Sequence, residues 1–341
     1  MRASSLSATV SRLLIVAALT AGGSGLTGGG PASAAPGSTV DYVALGDSYA
    51  AGVGAGPETG ACRASDGAYP KLWAALDAAA VSLTSVACSG ASSADVRDKQ
   101  LGSLSAETDL VSITVGSNDL GLVGVLQTCA DPKLAKTCTS KLAAVQQALT
   151  TTLPADLAKT LTAVTAKAPK AKLAVVGYPL PFADVADCPA IPLSKSMRDA
   201  GNLAITGVNR ALAAQAAALG VVFVDVTKPY TGRGICSPAP WLVGLEGLAA
   251  QTVLHPTLQG QTAGYLSALT SAVGTPAHVL AWIVERDKPA PSPAAGGAGG
   301  GGVPIAGPGL VWIVGAGLVL AAAGAFAYRR LRPRRVGSIA E

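Results

Sequence analysis

Histidine is nearly absent from this chain: 341 residues contain two, His255 and His278. Six cysteines are present but no C-x-x-C spacing occurs, so the usual ligand sets of a zinc site are missing. Only those two imidazoles can serve as a base that titrates near neutrality. Aromatic residues make up 4 % of the chain, too few to suggest an aromatic platform for sugars. Charged residues are also scarce, at 13 % against 50 % hydrophobic, so apolar sequence is expected outside a soluble core. No charged residue at all lies between Lys288 and Arg329.

That apolar sequence sits at the two ends. Residues 1–35 carry Arg2 and Arg12, the run LLIVAALTAGG and the small-residue pattern Ala32-Ser33-Ala34, which reads as an export signal cleaved near Ala34 or Ala35. The run is short and broken by glycines, which argues against a first transmembrane helix. Near the other end, Leu310 to Tyr328 gives nineteen mostly apolar residues, close to the roughly twenty that cross a bilayer as a helix. Arg329, Arg330, Arg332, Arg334 and Arg335 follow and are expected to stay in the cytoplasm. The reading is a transmembrane helix over 309–328, a basic tail over 329–341 and a Pro/Gly-rich linker over 287–308. Val303-Pro304-Ile305-Ala306-Gly307 resembles a sortase signal but departs from LPxTG at Val303 and Ala306, so a retained helix is expected rather than linkage to the cell wall.

The formal charge of +5 belongs to these ends. Without them, eighteen basic residues face nineteen acidic ones, which gives no reason to expect a nucleic-acid partner. An even cysteine count in an exported chain points to disulfides. Six cysteines allow fifteen pairings, of which sequential neighbours are the simplest.

Residues 36–286 alternate short apolar runs with helical stretches. Strands are expected over 40–45, 81–87, 109–115, 172–178 and 221–226, with helical regions over 140–167 and 195–219. Strands apolar throughout and separated by helices indicate an α/β fold with a central parallel sheet covered on both faces. Ligands then bind beyond the carboxyl ends of the strands. Three loops there are rich in glycine and polar residues: GDSYAAGVGAG, CSGASS and GSNDLG.

Ser48 follows the first strand in Gly46-Asp47-Ser48, at a turn where a nucleophile is both exposed and held. The surroundings are not the G-x-S-x-G elbow of the usual α/β-hydrolases, since Ala50 follows Tyr49. Nor does Gly52-Val53-Gly54-Ala55-Gly56 suit a dinucleotide, because Pro57 stands where the third glycine belongs. A serine nucleophile needs a base, and His255 before Pro256, a residue able to open a helix, is better placed than His278 near the domain end. Acyl transfer also needs donors for an oxyanion. Gly90 could present its N–H to one, and Asn118 its side-chain amide.

Gly46-Asp47-Ser48, Gly90, Gly116-Ser117-Asn118-Asp119 and His255-Pro256, in this order, resemble the four blocks of the SGNH (GDSL-type) hydrolases. The resemblance spans about Asp41 to Leu280, and CRASDGAYP with the cysteine layout is similar to secreted actinobacterial esterases and lipases of that family. It implies a flavodoxin-like three-layer α/β/α sandwich in which Ser48 attacks an ester and His255 moves the proton. Ser48 N–H, Gly90 N–H and Asn118 would form the oxyanion hole, with no metal or cofactor. It also implies neighbour pairing of the cysteines: Cys62 with Cys88, Cys129 with Cys138, and Cys188 with Cys236. Many members carry an Asp three residues before the histidine, where this chain has Thr252. A Ser-His dyad oriented by a backbone carbonyl is therefore expected, with Asp119 and Asp225 the carboxylates to examine.

The expected partner is an ester substrate, lipid or acyl, with the membrane reached through the C-terminal helix; the oligomeric state is left open. Two alternatives are a polysaccharide O-acetyl esterase and a non-catalytic surface-binding protein on the same fold.

Overall fold

Each of the five expected runs supplies a strand in the computed structural model, which describes residues 39–247 and 251–289. These are β1 (Val40–Gly46), β2 (Val81–Ser85), β3 (Leu110–Thr114), β4 (Lys172–Val176) and β5 (Val222–Val224). All pair in parallel, in the spatial order β2-β1-β3-β4-β5. That is the flavodoxin-like doubly wound order, with helices on both faces and the chain reversing direction across the sheet at the β1/β3 boundary.

Strand periodicity assigns the side chains to two cores. Val40, Tyr42 and Ala44 of β1 enter one core; Val43 and Leu45 enter the other. The first core also takes Trp73 from α2 (Tyr69–Ala74) and Tyr265, Leu269 and Val279 from the C-terminal helices. The second takes Leu153, Leu157 and Leu161 from α5 (Thr152–Lys167) and Val208 and Leu212 from α6 (Lys195–Leu219). The α6 bounds equal the expected 195–219.

Residues 140–167 are not one helix. The chain forms α4 (Ala135–Thr150) and then α5, with a break at Thr151. Pro154 explains it: a proline has no N–H for the carbonyl four residues back, here Thr150, and its ring clashes there. Shorter helices are α1 (Ser48–Ala51), α3 (Leu122–Ala130), α7 (Ser267–Val273) and α8 (Pro276–Arg286). Among the described residues one helical stretch, Gly260–Arg286, is long and apolar enough to cross a membrane. It contributes Tyr265, Leu269, Val273 and Val279 to the first core.

Three disulfides join Cys62 to Cys88, Cys129 to Cys138 and Cys188 to Cys236. At the end of α8, Arg286 Nη2 lies 2.8 Å from Asp109 Oδ1, and Asp109 Oδ2 accepts the Asp41 N–H, which ties the domain's last helix to the start of β1. The expected export signal, the linker beyond Pro289, the transmembrane helix and the basic tail lie outside the described residues.

Candidate active site

Beyond the carboxyl ends of β1 and β3 the backbone is drawn tight. Gly46 has φ +125°, and a Cβ there would stand 2.2 Å from Thr114 O, so only glycine lets the two strands end this close. Asp47 follows, fully buried, and its N–H donates to Thr114 O. Its Oδ2 accepts from Tyr178 Oη at 2.6 Å and its Oδ1 from the Tyr49 N–H at 2.9 Å. Burial pushes the Asp47 carboxyl up to about 7, against the pull of those two donors. Gln100 pins the same turn, accepting the Gly46 N–H and donating to the Gly46 carbonyl. Ser48 thus follows a turn held by Thr114, Tyr178 and Gln100.

The structure brings Ser48 and His255 together across 207 positions of sequence: His255 Nε2 lies 2.8 Å from Ser48 Oγ. Nδ1 lies 3.2 Å from both Thr252 O and Val253 O. A carbonyl oxygen can only accept, so Nδ1 carries the proton and Nε2 presents its lone pair to the serine. Asp119 instead accepts the Ser93 N–H, and Asp225 accepts from Thr227, so neither is bonded to the imidazole.

Pro256 does not open a helix as its sequence context suggested. It forms an antiparallel bridge with Leu242, and helical structure begins at Leu258. Backbone pairing of Val243 with Leu254 and His255 fixes the histidine's loop in place of helix capping. His278 is engaged elsewhere, with Nδ1 2.8 Å from Thr275 Oγ1 at the start of α8.

Burial lowers the His255 imidazole from 6.5 to about 4, and the nearby Arg63 cation adds to this, while the Thr252 and Val253 carbonyls and the Glu58 carboxylate oppose it. Any activity that uses His255 as its base is therefore expected to hold down to about pH 5 and to fall with an acid limb near 4 in a pH profile. An acid limb between 6 and 7 would contradict this assignment. Linkage gives the matching sign for stability. Between 6.5 and about 4 only the unfolded histidine gains a proton, so its contribution is present above 6.5 and lost as pH falls toward 4. Asp47 runs the other way: its contribution is full below 3.8 and is lost as pH rises through about 7.

Gly90 has φ +84°, and its N–H, like that of Ser48, donates to no other group among the described residues. The Asn118 Nδ2 donates one hydrogen to Ala91 O at 3.0 Å, which fixes the amide and leaves its second N–H for another acceptor. Ser48, Gly90, Asn118 and His255 line a cavity of about 380 Å³. From that polar end the cavity runs between α3, α4 and α6, past Leu126, Leu142, Val145, Gly201 and Ile205. Such an arrangement can hold an apolar chain with a carbonyl at its polar end. No group of three or more His, Cys, Asp or Glu able to hold a metal occurs among the described residues.

Several supporting residues escaped the sequence reading. Tyr49 Oη donates to Leu254 O at 2.7 Å, holding a residue at φ +71° beside the histidine. Gln261 donates to Tyr49 O and accepts the Tyr69 N–H. Tyr49 had one signal, its place next to Ser48. Gln100, Tyr178 and Gln261 had none, because they act on the site from 54 to 212 positions away.

Residues 44–263 match the GDSL-like Lipase/Acylhydrolase family. Lipase 1 of Streptomyces coelicolor is 41 % identical over 256 residues, covering 74 % of this chain and 94 % of that protein. The lipase of Streptomyces rimosus is 40 % identical over 276 residues, 80 % of this chain and 100 % of that one. The crystal structure of the extracellular S. rimosus lipase superposes with a TM-score of 0.64 at 40 % identity, covering 69 % of this chain and all of that one. Phospholipase A1 from Streptomyces albidoflavus NA297 superposes with a TM-score of 0.61 at 38 % identity, covering 67 % and 98 %. With this fold and this extent of likeness, the chain belongs to the GDSL-like lipase/acylhydrolase family and is a carboxylic ester hydrolase.

Proposed function

We propose that the enzyme is an exported, membrane-anchored serine esterase or lipase that cleaves lipid or other acyl esters through a Ser48–His255 dyad. The observation that carries this reading is the 2.8 Å contact of His255 Nε2 with Ser48 Oγ, combined with an Nδ1 committed to two carbonyls. Ser48 Oγ attacks the ester carbonyl carbon as His255 Nε2 takes its proton. The oxygen's charge is met by the N–H groups of Ser48 and Gly90 and by the Asn118 amide. Collapse expels the alcohol, which receives the proton from His255, and leaves an acyl-Ser48. Water then adds to the acyl carbon with His255 as base, releasing the acid and restoring the serine. The Thr252 and Val253 carbonyls do the orienting that a carboxylate does in a triad. A fluorophosphonate probe should label the folded protein at Ser48, and absence of Ser48-dependent labelling would defeat the reading.

The apolar arm of the cavity favours acyl chains over an acetylated sugar. Gly201 sits in its wall, where a Cβ would stand 3.1 Å from Phe182 Cε2 and 3.5 Å from Leu126 Cδ2. Gly201→Leu should therefore lower kcat/KM for long-chain p-nitrophenyl esters by about tenfold or more while sparing the butyrate, since each methylene in such a pocket is worth roughly that factor. An equal effect at all chain lengths would place the acyl chain elsewhere. Glycerophospholipids belong in the same assay, because the S. albidoflavus neighbour is a phospholipase A1.

Three disulfides suit an oxidising compartment, and the S. rimosus neighbour is extracellular. Residues 1–35 would direct export, 36–286 form the external catalytic domain, and 287–308 tether it to a helix over 309–328 with the 329–341 tail inside. Recovery of active enzyme from washed membranes only after detergent would agree with this layout; covalent attachment to peptidoglycan would reverse it.

A further inference from the structure

Between α1 and α2 the chain forms a small antiparallel ribbon, Glu58–Thr59 with Ala64–Ser65, that belongs to neither core. It touches all three loops that carry the site. Glu58 Oε1 accepts the Gly54 N–H at 3.1 Å, in the segment that follows Ser48 and packs on His255: a Cβ at Gly54 would stand 3.2 Å from His255 Cβ. Cys62, at the ribbon's turn, is disulfide-bonded to Cys88, and its carbonyl accepts the Ser89 N–H, which fixes the chain just before Gly90. Arg63 Nη1 donates to Gln251 O at 3.2 Å, at the head of the loop whose Thr252 and Val253 carbonyls orient His255. Glu58 Oε2 and Arg63 Nε, 2.6 Å apart, join the first of these ties to the third.

Both ends of the Arg63–Gln251 contact are strained. Arg63 has φ +56° and Gln251 φ +55°, conformations that residues with a side chain hold only when their surroundings impose them. Within the cavity wall the described residues include one formally charged side chain besides the titratable histidine, and it is Arg63. Ties from Glu58, Cys62 and Arg63 thus reach the three loops around Ser48, Gly90 and His255.

We infer that the Glu58–Arg63 ion pair is a positioning clamp that holds the histidine's loop in register with the serine and glycine loops during acyl transfer. This rests on the Ser48–His255 reading. Neither residue touches the reacting atoms; both act through the backbone they hold. A partly exposed ion pair contributes little to global stability, so the clamp's effect should appear in turnover and not in the melting temperature.

The electrostatics provide a readout that a merely structural role would not move. Among the described residues, the charged groups acting on His255 are Arg63 and Glu58 from the ribbon, and the Tyr49 ring lies with its centroid 5.4 Å away. Arg63 disfavours protonation of the imidazole and Glu58 favours it. Arg63→Gln and Glu58→Gln break the same ion pair, yet they should move the acid limb of kcat/KM in opposite directions, up for the first and down for the second.

The test uses the full-length, disulfide-intact enzyme and p-nitrophenyl butyrate. Both glutamine variants should lose kcat about tenfold or more with KM little changed, as displacements near 1 Å at a catalytic base cost turnover before binding. Their melting temperatures should fall by no more than about 4 °C. Arg63→Lys keeps the charge but not the fork that reaches Glu58 and Gln251, so it should lose turnover without moving the acid limb. Wild-type kcat in both glutamine variants, or limbs that shift in the same direction, would overturn the clamp. His255→Ala is measured beside them: full activity there would sink the dyad itself, whereas an inactive His255→Ala with unaffected Arg63 and Glu58 variants sinks only the clamp.

Discussion

Ser48→Ala is expected to lower kcat by about six orders of magnitude and to leave the fold intact, in line with removal of the nucleophile from other serine hydrolases. His255→Ala should cost nearly as much, and the double variant little more, because in the proposed dyad the two side chains, 2.8 Å apart, act as one unit. Single-turnover kinetics on a p-nitrophenyl ester, with circular dichroism as the check on folding, would measure this. Additive losses, with the double variant far below either single one, would mean that serine and histidine serve separate steps. Ser48 is 6 % exposed but belongs to neither hydrophobic core, and the hydrogen bond its hydroxyl makes is the one to His255, so a large drop in melting temperature is not expected. The residual activity of the variants should come from the oxyanion donors and substrate binding, which remain.

Asn118→Ala should reduce kcat by about 100- to 1000-fold with a small change in KM, the usual cost of losing one oxyanion donor. Its amide is not idle in the resting enzyme: it donates to Ala91 O, so the variant also leaves that carbonyl without its partner, at a cost of about 1 kcal/mol in stability. The two effects separate cleanly, because the stability loss appears in denaturant melts and the kinetic loss does not depend on it. Asn118→Asp sharpens the point. It keeps the shape but replaces the donor with a carboxylate facing both Ala91 O and the developing oxyanion, so it should be no better than alanine. A loss smaller than about tenfold in Asn118→Ala would remove this residue from the oxyanion hole.

Much of the architecture could be read from composition. Five apolar runs became the five parallel strands, and the helical stretch over 195–219 kept its ends, because burial on both sheet faces forces apolar residues that a linear pattern records. The helical region over 140–167 is helical except at Thr151, where Pro154 divides it into two helices. Pro256, in contrast, opens no helix. It has the chemistry of a helix start, but a distant segment, Leu242, claims it for a bridge, and no local pattern reports such pairing.

By itself the sequence pointed to the class of catalyst and to candidate residues for its chemistry. Scarcity of histidine left two bases to choose between, and the four short blocks each sit directly after a strand or at the domain end, where local pattern suffices to find them. Tertiary structure alone decided what surrounds them. It set Thr252 and Val253 carbonyls, not a carboxylate, against His255 Nδ1; it buried Asp47 under Tyr178; and it put Glu58 and Arg63 between three loops. These are contacts of backbone carbonyls and of side chains far apart in the chain. A carbonyl is carried by every residue and so leaves no mark in a sequence, and its position follows only once the strands have closed and the loops at their ends have met.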